Sequence, residues 1–198
     1  IYIMHRDNPD VPVGELVDAL NDLKARGLMR GVFGGSNWSI ERFEAANAYA
    51  EANGKQGLSI LNNNLSLARM VKEVWSGCVH VSDPKSRSWL EKTGTVNFSW
   101  SSQARGYFLP GEERMKLGQG NFECWESEDN HGRRERAEEL AKQKGCTPIN
   151  IAAAYVLNQP FPSFALVGPR TIHETATTMP ALDIELTGDE IKWLWGSR

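Results

Sequence analysis

The chain has 198 residues, 40% hydrophobic and 24% charged, with a formal net charge of -3. That balance is ordinary for a globular domain and excludes a disordered, collagen-like or coiled-coil chain. It gives no global basic field to draw nucleic acid or anionic membrane, and no apolar run approaches the ~20 residues a membrane-spanning helix needs.

The elements alternate along the chain. Ile1-Tyr2-Ile3-Met4-His5 is rich in β-branched and aromatic residues and predicts a buried strand. Domains seldom begin inside such a strand, which points to chain ahead of Ile1. Asp7-Asn8-Pro9-Asp10 supplies a turn. Leu16, Leu20 and Leu23 then recur at helical spacing opposite Glu15, Asp18, Asp22 and Lys24, with Gly27 placed as a stop. Val32-Phe33-Gly34 reads as a second strand, and Ser39 caps a helix whose face is Ile40, Phe43, Ala46 and Ala50, ended by Gly54. Leu58-Ser59-Ile60-Leu61 is a third strand, followed by an irregular stretch and a helix from about Asp83 to Lys92. Val96 to Trp100 is a fourth strand, Thr147-Pro148 opens a helix running to Leu157, and Phe164 to Val167 is a fifth strand. Thr171-x-x-Glu174 and Thr187-x-x-Glu190 have the spacing of capping boxes and open the last two helices.

Five strand-helix alternations in one domain over 1–198 predict an α/β fold with a parallel sheet. An open doubly wound sheet and a (β/α) barrel both fit; a closed barrel needs eight units and typically ~250 residues. Residues 109–130 stand apart as a long acidic connection, with Glu112, Glu113, Glu123, Glu126, Glu128 and Asp129 against Arg114 and Lys116. A connection of that length reads as a lid, a binding loop or a solvated insert.

Several motif matches fail on context. Ser82-x-x-Lys85 and Lys92-Thr93-Gly94 bracket one short helix rather than lying far apart as the β-lactamase elements do. Gly118-Gln119-Gly120 begins a dinucleotide fingerprint, but Glu123 takes the third glycine position and no strand precedes it. His5, His80, His131 and His173 show no metal spacing, so no metal site is expected. Cys78, Cys124 and Cys146 are far apart, with no C-x-x-C pair, which favours a reducing cytoplasm over a disulfide framework. The N-x-S matches at Asn37, Asn64 and Asn97 follow strand-like runs and read as accidents.

Ligands in parallel α/β folds bind at the carboxyl ends of strands. Polar groups recur there in this chain: His5-Arg6-Asp7, Ser36-Asn37, Asn62-Asn63-Asn64, Trp100-Ser101-Ser102 and Gly168-Pro169-Arg170-Thr171. In the last cluster a glycine, an arginine and a helix start suit a phosphate, and Trp100 offers a flat face to a ring. Phosphate grip plus aromatic face points to a nucleotide cofactor.

Taken jointly, Tyr2-Ile3-Met4-His5-Arg6-Asp7, Gly35-Ser36-Asn37-Trp38, Ser66-Leu67-Ala68, Trp100 to Gly106 and Ala165 to Arg170 resemble the C-terminal five units of an aldo-keto reductase. That family is an NADPH-dependent (β/α)8 barrel, so the resemblance implies a partial TIM barrel of five units out of eight. It implies His5 as the histidine that orients the substrate carbonyl. Ser36 and Asn37 match the pair that holds the nicotinamide carboxamide, Asn64 falls at another cofactor-binding position, and Trp100 matches the aromatic stacked on the nicotinamide ring. Ser101, Ser102, Ala104 and Arg105 would run along the pyrophosphate. Gly168, Arg170 and Thr171 would hold the adenosine end, Arg170 facing the extra phosphate. Glu174 and Thr178, with Thr177, occupy positions near the adenine.

The sequence departs from the family at Asn64, where the family usually has Gln, and around the adenine positions. The family's catalytic tyrosine, lysine and aspartate fall in units ahead of this histidine, and Tyr2, Tyr49, Tyr107 and Tyr155 do not match the tyrosine's motif. The expected activity is NADPH-dependent reduction of a small aldehyde or ketone by the intact protein, with this stretch inactive alone. Two other readings stay open: a nicotinamide-nucleotide-binding module or partial barrel completed by a partner, and, by architecture alone, a sugar-phosphate isomerase or lyase barrel.

Overall fold

The computed structural model describes residues 1–117, 120 and 122–196. Five strands form one sheet: β1 (Tyr2–Met4), β2 (Phe33–Ser36), β3 (Leu58–Asn62), β4 (Val96–Ser99) and β5 (Ser163–Ala165). They lie in the order β1-β2-β3-β4-β5, every neighbouring pair parallel. A doubly wound sheet reverses its order at a switch point. This sheet never does, so the alternation is that of a barrel wall, an α/β fold that stops at five strands. All five carboxyl ends therefore lie along one rim.

The strands are shorter than their hydrophobic runs at both margins. Ile1, Leu166 and Val167 read as strand from their side chains, but a strand needs a partner ladder. At the two edges there is a neighbour on one side only. Gly34 lets β2 and β3 approach closely, since a Cβ there would lie 2.7 Å from the Ile60 carbonyl oxygen.

The helices start where capping chemistry places them. They are α1 (Val13–Ala25), α2 (Ile40–Ala52), α3 (Pro84–Thr93), α4 (Gly111–Lys116), α5 (Glu128–Lys144), α6 (Pro148–Leu157), α7 (Ile172–Thr178) and α8 (Gly188–Trp195). Ser39, Asp83, Ser127, Thr171 and Thr187 each accept a backbone N–H of the first turn. Thr187 and Glu190 complete a reciprocal box. Glu174 instead turns back onto the Arg170 N–H, one residue further out than a full box requires. Thr147 donates to the Asn150 side chain and caps nothing.

Residues 109–130 are not an open loop throughout. Two turns of helix form α4, and α5 begins at Glu128, inside the acidic stretch. Phe122, Cys124 and Trp125 are buried in the main core. The acidic side chains dominate the composition of this segment, whereas three apolar ones decide its position. Of the Gly118-Gln119-Gly120 match, Gly118 and Gln119 lie outside the described residues.

The core between sheet and helices is aromatic-rich. Trp38, Trp125, Tyr107, Tyr155, Phe33 and Phe108 are among its fully buried members. Burying one such side chain contributes about 1.5–3 kcal/mol. Arg133 is also buried; its guanidinium lies 3.9 Å from the Trp195 ring centroid, and its donors reach Asn130 Oδ1 and the Trp195 carbonyl. Among the described residues, no helix is long and apolar enough to cross a membrane.

Candidate functional site

The strand order brings the five polar clusters onto one rim in sequence, and hydrogen bonds join neighbouring clusters. The Asn37 N–H donates to the Asn62 carbonyl at 3.2 Å. Asn62 Nδ2 donates to the Phe98 carbonyl at 2.6 Å, and Asn64 Nδ2 to the Trp100 carbonyl at 2.8 Å. Ser102 Oγ, fully buried, donates to the Leu166 carbonyl at 2.8 Å. Each bond crosses from one strand end to the next, so Asn37, Asn64, Trp100 and Ser102 form one connected edge.

The backbone of that edge is strained. Among the described residues, those in the left-handed region that are not glycine are Asn37 (φ 58°), Ser101 (φ 48°), Ala104 (φ 47°) and Arg105 (φ 53°). Each such residue costs of order 1–3 kcal/mol unless the surroundings fix it, and such residues gather at binding sites. All four belong to the turns after β2 and β4. A Cβ on Gly106, itself at φ 92°, would lie 2.7 Å from Leu117.

Polar satisfaction at the rim is incomplete. Asn64 is fully buried, yet its Oδ1 has no hydrogen-bond partner, and the Trp100 indole N–H is likewise buried and unpaired. A buried acceptor left unpaired costs about 1–3 kcal/mol, so Asn64 Oδ1 fits a ligand that brings an N–H donor. Asn37 is more occupied: its Nδ2 donates to Ser36 Oγ at 3.2 Å and its Oδ1 accepts the Val79 N–H at 3.0 Å.

The other predicted residues are placed as follows. His5 follows β1 and is exposed. Two residues on, Asp7 accepts from Arg42 Nε on α2 at 2.9 Å, and Arg42 also holds the carbonyls of Asn8 and Val11. Gly168, Arg170 and Thr171 follow β5, all exposed. Arg170 pairs with Glu174 at 3.4 Å, and the Arg170 N–H lowers the Glu174 carboxyl below the usual glutamate range. The glutamate thus lies against the arginine expected to meet a phosphate. Thr178 is half-buried and donates to the Glu174 carbonyl.

Two features escaped the sequence. Trp75 lies 6.1 Å from Trp100, ring to ring at 49°, with the Arg105 guanidinium 5.7 Å over it. Arg6 donates to the Ser76 carbonyl at 3.0 Å. The signal was present in the length of the irregular stretch before α3, since long connections are often functional. Two clefts are lined by other residues. One of about 230 Å³ is lined by Arg87, Phe161 and Trp195, and one of about 130 Å³ lies beside Asn63, His80 and Lys85. Among the described residues no group of His, Cys, Asp or Glu could hold a metal ion.

Comparison with known proteins gives a family and a fold. The model of the aldo/keto reductase family matches residues 1–195. Norsolorinic acid reductase A of Aspergillus parasiticus is 26% identical over 183 residues, covering 91% of this chain and 43% of that protein. The aryl-alcohol dehydrogenase [NADP(+)] of Phanerodontia chrysosporium is 25% identical, covering 98% of this chain and 50% of its own length. The fold also matches an aldo/keto reductase from Klebsiella pneumoniae, solved in complex with NADP and acetate, at a TM-score of 0.68 and 20% identity, covering 100% of this chain and 59% of that one. The chain therefore spans about half the length of the relatives it matches.

Proposed function

The chain belongs to the aldo/keto reductase family, and from that premise we propose that it forms the cofactor-binding face of an NADPH-dependent carbonyl reductase. The observation that carries this reading is the strained rim. The left-handed non-glycine residues Asn37, Ser101, Ala104 and Arg105 fall in the two turns assigned by resemblance to the nicotinamide and the pyrophosphate. The unpaired Asn64 Oδ1 adds a fitting acceptor for a carboxamide N–H.

In this reading Ser36, Asn37 and Asn64 hold the carboxamide and Trp100 lies against the ring. Ser101, Ser102, Ala104 and Arg105 follow the pyrophosphate. Gly168, Arg170 and Thr171 hold the adenosine phosphate, with Glu174 and Thr178 beside the adenine. When bound, NADPH supplies a hydride to a carbonyl carbon. His5 donates a hydrogen bond to the carbonyl oxygen and orients it. Reduction also needs a proton donor tuned to the operating pH. Tyr49 donates its hydroxyl to Asp18. Tyr107 and Tyr155 are buried, and burial pushes the Tyr107 phenol up to about 12 and that of Tyr155 up as well. None of the three is poised to donate a proton at neutral pH. In this reading these residues bind the cofactor, and the proton comes from the family's tyrosine, helped by its lysine and aspartate. One domain spanning 1–198 forms this part of the barrel.

The test has two arms. NADPH quenches tryptophan fluorescence of the wild type, and Arg170→Ala weakens NADPH binding about tenfold while leaving NADH unchanged, as expected for one charge-assisted contact to the extra phosphate. Steady-state oxidation of NADPH with a broad aldehyde panel stays at background. Robust turnover by these residues would refute the assignment of the proton donor.

A second reading, a nucleotide-binding partial barrel completed by a partner or second copy, is favoured by the open sheet margins. Ile1 and Tyr2 at the β1 edge and Phe164, Leu166 and Val167 at the β5 edge are exposed apolar groups. Edge protection in hydrogen exchange that rises with protein concentration is its signature.

A further inference from the structure

The residues between β3 and α3 do not leave the rim; they cross it. From the outer side, the Val71 N–H donates to the Cys124 carbonyl at 2.8 Å and Lys72 pairs with Glu123 at 3.0 Å. Trp75 then lies beside Trp100, the rings tilted at 49° with centroids 6.1 Å apart, and under the Arg105 guanidinium. At the tip, Arg6 from the β1 end holds the Ser76 carbonyl, and Gly77 turns with φ 74°. The Val79 N–H reaches Asn37 Oδ1 at the β2 end. Asn64 and His80 close the crossing as an isolated parallel bridge, with Asn64 N to Val79 O at 3.0 Å and Val81 N to Asn64 O at 2.9 Å.

The crossing segment thus meets the ends of β1, β2, β3 and β4. Four residues that it touches, Asn37, Asn64, Trp100 and Arg105, are also assigned to the cofactor above. We propose that residues 71–79 are an autoinhibitory strap over the nicotinamide end of the site. The Val79 N–H takes the acceptor of Asn37, and the Trp75 indole lies tilted beside the Trp100 ring, so strap and nicotinamide compete for the same amide and for room at the same ring. This inference rests on the cofactor reading. The strap meets Asn64 through its backbone alone: the side-chain Oδ1 stays unpaired. The strap is built to be displaced. Trp75 is 55% exposed, and the bond that ties the tip to the β1 end comes from Arg6, itself exposed, while the other bonds at the tip, Gly77 N–H to Glu73 and Cys78 N–H to the Trp75 carbonyl, lie within the strap.

A ligand that binds the open form alone has its apparent dissociation constant raised by the inverse of the open fraction. A strap open one time in ten weakens NADPH about tenfold, and removing the strap restores that factor. The strap covers the nicotinamide end and leaves the exposed Arg170 and Thr171 uncovered. A probe lacking nicotinamide, 2′-phospho-ADP-ribose, is therefore indifferent to it.

Titration calorimetry with NADPH and with 2′-phospho-ADP-ribose on the wild type, Trp75→Gly and Arg6→Ala tests this, with circular dichroism confirming that each variant is folded. The expected result is a roughly tenfold gain in NADPH affinity for Trp75→Gly, a smaller gain for Arg6→Ala, and no change for 2′-phospho-ADP-ribose. Unchanged or weaker NADPH binding in both variants, with 2′-phospho-ADP-ribose still bound, overturns the strap and leaves the cofactor reading standing. Binding of neither probe by any of the proteins overturns the cofactor reading and the strap with it.

Discussion

Asn37 shows how one residue can serve both backbone and ligand. It stands at φ 58°, in a region costing ordinary L residues about 1–2 kcal/mol. Asparagine tolerates that region better than most, and its amide is the part offered to a ligand. The two roles separate by substitution. Asn37→Ala loses the amide and keeps the strain, whereas Asn37→Gly loses the amide and relieves it. Asn37→Ala is expected to be less stable than Asn37→Gly by about 1 kcal/mol in urea titrations, with both equally impaired in NADPH binding. Equal stability would show that the turn after β2 is not strained. The residue types here were legible from sequence. The strain was not, because a φ angle is set by the strands on either side rather than by the residue. Likewise Asp7 read as part of a polar rim cluster, but its partner Arg42 lies 35 positions away on α2, and no local pattern announces that ion pair.

At the scale of elements, the stretch from Asn64 to Asp83 couples the rim to α3. His80 is half-buried at its centre. Burial pushes its imidazole below the ordinary histidine range, while Asp83 pulls it up and Arg69 pushes it further down. Its Nδ1 is buried without a partner. A histidine whose folded pKa is depressed holds its stabilising contribution above its unfolded value, near 6.5. That contribution is lost as pH falls through the lower folded value. The urea midpoint is therefore expected to drop on acidification below about pH 6.5, and to drop less in His80→Gln. An identical pH profile for the two proteins would show that His80 does not titrate on unfolding. Most elements were readable beforehand because caps and periodicity are local: Ser39 and Thr187 as caps and Pro148 as a first helical residue each sit at the start of the helix they open. The strap was not, since residues 71–79 carry neither periodicity nor caps, and only the tertiary contacts of Trp75, Ser76 and Val79 give them a position. The acidic stretch misled for a related reason: Phe122 and Trp125, not the carboxylates, anchor it.

At the scale of the whole molecule, a parallel wall of five strands leaves two edges. β2, β3 and β4 have a partner on both sides, whereas β1 and β5 each have one. Unpaired edges are templates for another chain, and their amides open more readily than those of a central strand. Here the edges carry exposed Tyr2 and Phe164 as well. Among the covering helices, α6 packs against β5 and α5 packs against α6. Native-state hydrogen exchange of the dilute chain is therefore expected to rank the strands, with β3 and β4 slowest and β1 and β5 fastest. Raising the concentration separates the two functional readings. If the rim belongs to a wall completed by another copy, protection of Tyr2 to Met4 and Ser163 to Ala165 climbs together, while β3 stays unchanged. If the five strands meet no second copy, edge exchange is independent of concentration. Uniform exchange across all five strands would mean that the sheet opens as one cooperative unit and that its margins carry no special liability.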